Sequence, residues 1–191
     1  MAEYKPPVHY TDSDRGILLP CVYGIKELII MTLENFVNGL SGDKRLRLTV
    51  KLLRNAIQIW DDYAEGKEFE YTDSVAGLKH TVRKDMIINC VSAVERYLNS
   101  EENGITEEIM HLKKEFVEPV TALQDGDWNL PYSALKTFYS AYNLVNAVTL
   151  KEENVLGNSE IYVSINHAID AIETSGLLTT EQIKQILKEA E

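Results

Sequence analysis

One stretch constrains the fold more than any other: DKRLRLTVKLLRNAIQIWDDYAEG, residues 43–66. Leu46, Val50, Leu53, Ile57, Trp60 and Ala64 recur at three- and four-residue intervals, a stripe that gathers on one side only if the backbone is helical. Gly66 stands where such a helix stops. A helix of this length with a single apolar face must bury that face against other elements. The rest of the chain has to supply them.

The remaining runs are also helical in period. A first helix is expected from about Pro20 to Leu40, with Pro20 in the first helical position and Gly42 after the end. Residues 73–100 carry Val75, Leu78, Val82, Met86, Cys90, Ala93 and Tyr97 on one stripe, read as one long helix or as two with a break near Gly77. A fourth helix follows Thr106 as N-cap, with Ile105 and Met110 in hydrophobic-staple positions, and Pro119 ends or kinks it. The turn-rich LQDGDWNLP separates it from a fifth helix beginning near Pro131, with Leu135, Phe138, Tyr142 and Val145 on its stripe. Ile161, Ile165, Ala168, Ile169 and Ile172 mark a sixth helix stopped by Gly176. The last run opens with a Thr179–Gln182 capping box and a Leu178–Ile183 staple.

Strand-like alternation is confined to FEY and IYVSI, the second inside a helical run, and there is no internal repeat. The fold class is therefore all-α. We expect a single domain of six to seven helices over residues 17–191, a bundle-like or orthogonal array. Residues 1–16 are expected to form an extended N-terminal arm, because Pro6-Pro7 prevents an early helix. SEENG, residues 100–104, reads as an ordinary helix connection.

Charge narrows the function classes. The chain of 191 residues carries a net charge of −11, and its pI is about 4.9. A nucleic-acid or anionic-membrane binder needs a basic footprint, so neither is expected, and a basic protein is the partner that fits. The start, MAEYKPPVHYTDSDRG, has no apolar signal core. In the most apolar stretch, GILLPCVYGIKELIIMTLENFV, the charges of Lys26, Glu27 and Glu34 break any membrane span. A cytoplasmic location is expected, and Cys21 and Cys90, each in an apolar run, are expected to be buried reduced thiols.

No nucleotide fingerprint, phosphate loop or nucleophile elbow is present. Glu108 and His111 have the Glu-x-x-His spacing of a di-metal bundle. However, His111 falls roughly 140° and Glu108 roughly 80° from the centre of the stripe formed by Ile105, Ile109, Leu112, Phe116 and Val120. His80 and His167 have Gly77 and Ser164, not Glu, three residues earlier. His111 is therefore expected on the wet side. His9, Asp12 and Asp14 lie in the arm, and His167 and Asp170 read as an exposed helical pair. Cys90 and His80 are ten residues apart, too far along one helix to form a dyad. No metal, no cofactor and no catalytic residue is assigned.

The helix of residues 43–66 holds the one anomaly. Lys44, Arg47, Lys51 and Arg54 occupy its N-terminal polar face, and Asp62 and Glu65 its C-terminal end. The helix macrodipole favours the reverse order. Either neighbouring helices supply opposite charges, or the face is a docking surface. The acids continue into DDYAEGKEFEYTDS, where Asp61, Asp62, Glu65, Glu68 and Glu70 alternate with Tyr63 and Phe69. Carboxylates that steer and aromatics that anchor suit a patch for a basic protein surface.

The run from Asp43 and Arg45 through KLLRNAIQIW to Trp60 and Gly66, followed by SVAGLKHTVRK, resembles the all-helical immunity proteins of bacterial toxin–immunity systems, over residues 43–84. The resemblance implies a helical protein that neutralises a toxin by presenting an acidic surface to its basic face. It implies no individual functional residue.

The leading expectation is thus a non-catalytic interaction protein of immunity or inhibitor type, with Asp61, Asp62, Tyr63, Glu65, Glu68, Phe69 and Glu70 as the contact surface. The first alternative is an enzyme or small-ligand binder whose pocket is lined by Trp128, Tyr132, Tyr139 and Tyr142 from WNLPYSALKTFYSAYN. The second is a helical oligomer, a homodimer joined through residues 179–191.

Overall fold

The computed structural model describes residues 33–100, 107–152 and 157–190. Among these there are seven helices and two short strands: α1 Leu33–Gly39, α2 Gly42–Ala64, β1 Phe69–Thr72, β2 Lys79–Val82, α3 Met86–Asn99, α4 Glu107–Asp125, α5 Tyr132–Glu152, α6 Gly157–Ser175 and α7 Thr180–Lys188. The class is all-α, as the helical periods require. The chain divides into two compact units, Met1–Gly39 and Leu40–Glu191. Of the first, only α1 lies among the described residues, so the 1–16 arm, Cys21 and most of the Pro20–Leu40 helix fall outside them. Thr106 and Ile105, the expected cap and staple of α4, also fall outside. No described helix is long and apolar enough to cross a membrane.

In the second unit α5 is the central element. It packs most extensively on α6, with α2 lying against both and α3 and α4 against its other sides. Its buried positions include Ala134, Phe138, Ala141, Leu144, Val145, Ala147 and Val148. With the buried Thr137, Ser140, Asn143 and Thr149 they cover roughly two-thirds of the helix circumference, a face much broader than the four-residue stripe read from the sequence. The expected stripe is corrected accordingly: Phe138 and Val145 are buried, whereas Leu135 and Tyr142 are only half-buried. Small residues let α5 and α6 approach closely. At their crossing the Ser140 hydroxyl donates to the Ser164 carbonyl at 2.7 Å and the Ser164 hydroxyl to the Ser140 carbonyl at 2.7 Å. Both serines are fully buried with their polar atoms satisfied.

The helix ends obey their local chemistry. Ser41 caps α2 by accepting from the Lys44 N–H. Thr179 and Gln182 form the expected capping box of α7. Gly176, at φ 70°, closes α6 with N–H groups of Gly176 and Leu177 donating to Glu173 and Ile172 carbonyls, the paired pattern of a Schellman ending. Gly126, at φ 82°, occupies the same position after α4. Pro119 neither ends nor interrupts that helix, which runs on to Asp125 with Pro119 buried in it.

Residues 73–82 depart from the helical expectation. The break near Gly77 is a hairpin turn, and helix resumes only at Met86. β1 and β2 pair antiparallel, with Phe69 opposite Val82 and Thr72 opposite Lys79. Phe69, Tyr71 and Val82 face inward, and Val75 and Leu78, expected on a buried stripe, lie in the exposed turn. The reason is tertiary. As strands, these segments place Phe69 and Tyr71 against Trp60 and Trp128, while Asp73 and Gly77 supply the turn.

The close α5–α6 crossing generates a direct test. Ser164→Leu puts a large side chain where two backbones meet and should lower stability by about 1–3 kcal/mol. Urea unfolding followed by circular dichroism measures it; an unchanged midpoint would show that the crossing has room to spare.

Candidate functional site

The charge order of α2 is resolved by its neighbours. The Arg47 guanidinium donates to the Leu98 carbonyl at 2.7 Å and to Asn99 Oδ1 at 3.1 Å, both at the C-terminus of α3. Carbonyls there are unpaired within the helix and carry the negative end of its dipole. Arg54 forms a forked pair with Glu95 of α3, Nε to Oε1 at 2.8 Å. That pairing holds Glu95 below the usual carboxylate range and raises Arg54. Lys51 pairs with Glu189, just beyond α7. The basic half of the helix is therefore a seam that docks α3 and α7.

The acidic half has no such counterpart. Asp61, Asp62, Glu65, Glu68 and Glu70 are exposed. Among the described residues no lysine, arginine or histidine forms an ion pair with any of them. Asp62 accepts a hydrogen bond from the neutral Gln58 amide at 2.7 Å. The Asp61 carboxyl is raised, by partial burial and then by the neighbouring negative charge of Asp62. Lys67, the nearby cation in the chain, stands over the Tyr63 ring at 3.7 Å instead.

The aromatics of this arc have a different role from the one expected. Phe69 is 4% exposed, so it is no surface anchor. It packs on Trp60 at 5.3 Å, Trp128 at 5.9 Å and Tyr63 at 5.5 Å between ring centroids. Tyr63 is half-buried beneath Lys67. The aromatics hold β1 against α2, and the alternation of the strand then turns Glu70 outward.

The turn that follows is held by polar contacts. Asp73 Oδ1 accepts from the Val75 and Ala76 N–H groups at 2.6 and 3.0 Å. The Asp73 N–H donates to the Leu78 carbonyl at 2.9 Å, and the Gly77 N–H to the Asp73 carbonyl at 2.8 Å. The Ser74 N–H donates to Asp127 Oδ2 at 2.9 Å, tying the turn to the loop after α4.

The expected pocket residues do not converge. Trp128 is buried between Phe69, Tyr71 and Phe138. Tyr132 is exposed, and its hydroxyl donates to Asp170 at 3.2 Å. Tyr139 packs on His167, and Tyr142 on Phe116. None of the four lines the shallow groove that lies between the hairpin, α3 and α4. That groove has two adjoining hollows of about 200 and 340 Å³ that share Arg83 and Glu115. In it His80 Nδ1 stands 3.3 Å from Glu118, His111 Nδ1 stands 3.4 Å from Glu115, and Arg83 bridges Asp85 and Glu115. His111, Glu115 and Glu118 share α4, where His111 and Glu115 are an i,i+4 pair, but His80 comes from β2 and Arg83 and Asp85 from the link to α3, and no local spacing joins those three segments. His111 is on the wet side, its side chain 71% exposed, and Glu108 pairs with Arg96. Cys90 is buried, its thiol donating to the Ala141 carbonyl at 3.3 Å, and burial pushes that thiol up.

No protein-family model, curated protein or solved structure matches the chain.

The hydrogen bonds in the turn set a pH dependence. The Ala76 and Val75 N–H groups hold the Asp73 carboxyl below the ordinary carboxylate range. The depressed group stabilises the turn above the unfolded carboxyl's pKa, and this contribution is lost as pH falls through the folded value. In an NMR titration the Val75 and Ala76 amide resonances should move together through one transition below the ordinary aspartate range. Asp73→Ala should abolish it. A midpoint at the ordinary value would mean that these hydrogen bonds do not persist in solution.

Proposed function

We propose that this protein is a non-catalytic interaction protein of immunity or inhibitor type, which binds the basic surface of a partner protein through Asp61, Asp62, Glu65, Glu68 and Glu70. The observation that carries the reading is the contrast along α2. Arg47, Lys51 and Arg54 find internal partners, and the acids at the other end find no cation among the described residues. Crowded carboxylates repel one another, and a cationic partner relieves that repulsion; at Asp61 the neighbouring Asp62 charge adds to the larger effect of partial burial in raising the carboxyl. The net charge of −11 gives the same partner long-range steering. Tyr63, half-buried and capped by Lys67, sits at the edge of the patch.

The test compares the immobilised full chain with its Asp62→Lys/Glu65→Lys/Glu68→Lys variant, each exposed to soluble extract of the organism that encodes it. At low salt the unaltered chain should retain one basic protein in stoichiometric amount, and raising the salt should release it. Charge reversal should cut retention about tenfold or more. Equal retention on both chains, or none on either, would refute the reading.

A further inference from the structure

We infer that the turn between β1 and β2 is a preformed wedge, which seats Val75 and Leu78 in an apolar recess rimmed by lysine and arginine on the same basic partner. This rests on the acidic-surface reading above and adds the part of the interface that supplies affinity.

Val75 is 92% exposed and Leu78 59%, the two most exposed large apolar side chains among the described residues, and they stand three positions apart in one turn. The turn does not need them. Its conformation is set by the Asp73 carboxylate, by the Asp73–Leu78 and Asp73–Gly77 backbone bonds, by Gly77 at φ 68°, and by the tie from Ser74 to Asp127. A polar residue at either position would leave every one of these bonds in place. Apolar side chains carried on a backbone that hydrogen bonds already fix spare the cost of ordering that backbone on docking, which suits an interface anchor.

Charge identifies the occupant. Asp73 and Asp127 lie at the base of the turn, Glu70 projects from β1, and Lys79 is the one lysine or arginine within β1, the turn and β2. A second copy of this chain, at net charge −11, would set these acids against their own kind. A recess with basic side chains around it instead meets the apolar tip and the acids together. The acidic end of α2 leads into the hairpin within a few residues, so one partner surface can meet both.

The experiment uses the full chain with Val75→p-benzoylphenylalanine, irradiated in soluble extract of the organism that encodes it, with Thr121→p-benzoylphenylalanine on the exposed side of α4 as control. Three unlabelled chains compete: unaltered, Val75→Ser/Leu78→Ser, and Asp62→Lys/Glu65→Lys. The expected result is an adduct at Val75 and not at Thr121, mapped to an apolar segment flanked by lysine or arginine. The serine variant, with an unchanged thermal midpoint, should compete about tenfold or more worse than the unaltered chain. No adduct above the control, an adduct with a second copy of the chain, or equal competition by the serine variant would overturn the wedge. The lysine variant separates the two readings. If it competes as well as the unaltered chain while the serine variant does not, the wedge stands and the acidic surface falls. If only the lysine variant fails to compete, the acidic surface stands and the wedge falls.

Discussion

The Trp60 indole is the contact on which the rest of this unit depends. It reaches Phe138 of α5 at 5.6 Å and Phe69 of β1 at 5.3 Å, and its N–H donates to the Lys84 carbonyl at 2.8 Å beyond β2. Trp128 closes the cluster from the loop after α4 by packing edge-on against Phe138. One side chain thus joins the longest amphipathic helix, the central helix and both ends of the hairpin. A two-stranded hairpin is marginal by itself in water, and this cluster gives its inner face a core to pack on.

The orientation of the polar surface follows from that packing. With Phe69 and Tyr71 committed inward, period-two alternation leaves Glu70 and Thr72 outside. The aromatic residues between the acids of residues 61–70 are thus the inner side of a wall whose outer side is carboxylate. Their interleaving suggests anchors mixed with charges, yet burial divides the two between opposite faces.

The reversed charge order on α2 has an equally structural cause. Its cations meet the carbonyl end of α3, Glu95 and Glu189. Each surface pair of this kind contributes modestly, on the order of 1 kcal/mol or less, but together they set which elements the N-terminal half of α2 can face. The macrodipole cost within the helix is offset by the dipole of its neighbour. Of the two explanations open at the sequence level, internal partners account for Arg47, Lys51 and Arg54, and the docking proposal concerns the acids alone.

The sequence by itself determined the helical class, α2 with its apolar stripe, the apolar stripe of α6, and the capping box of α7. These depend on residues within a few positions of one another, and local geometry decides them. It also placed His111 on the wet side, because a single helix fixes that angle. Only the tertiary structure decided the rest. Val75, Leu78 and Val82 fit a helical period, but burying Phe69 and Tyr71 against Trp60 and Trp128, with Val82 buried opposite Phe69, outweighs that pattern and turns the segment into a hairpin. Trp128, Tyr132, Tyr139 and Tyr142 are near in sequence yet face different neighbours, since positions along and before a helix point in different directions. Which charges on α2 are paired, and which apolar side chains remain in water, depended on contacts between residues up to 138 positions apart, a separation at which local periodicity carries no information.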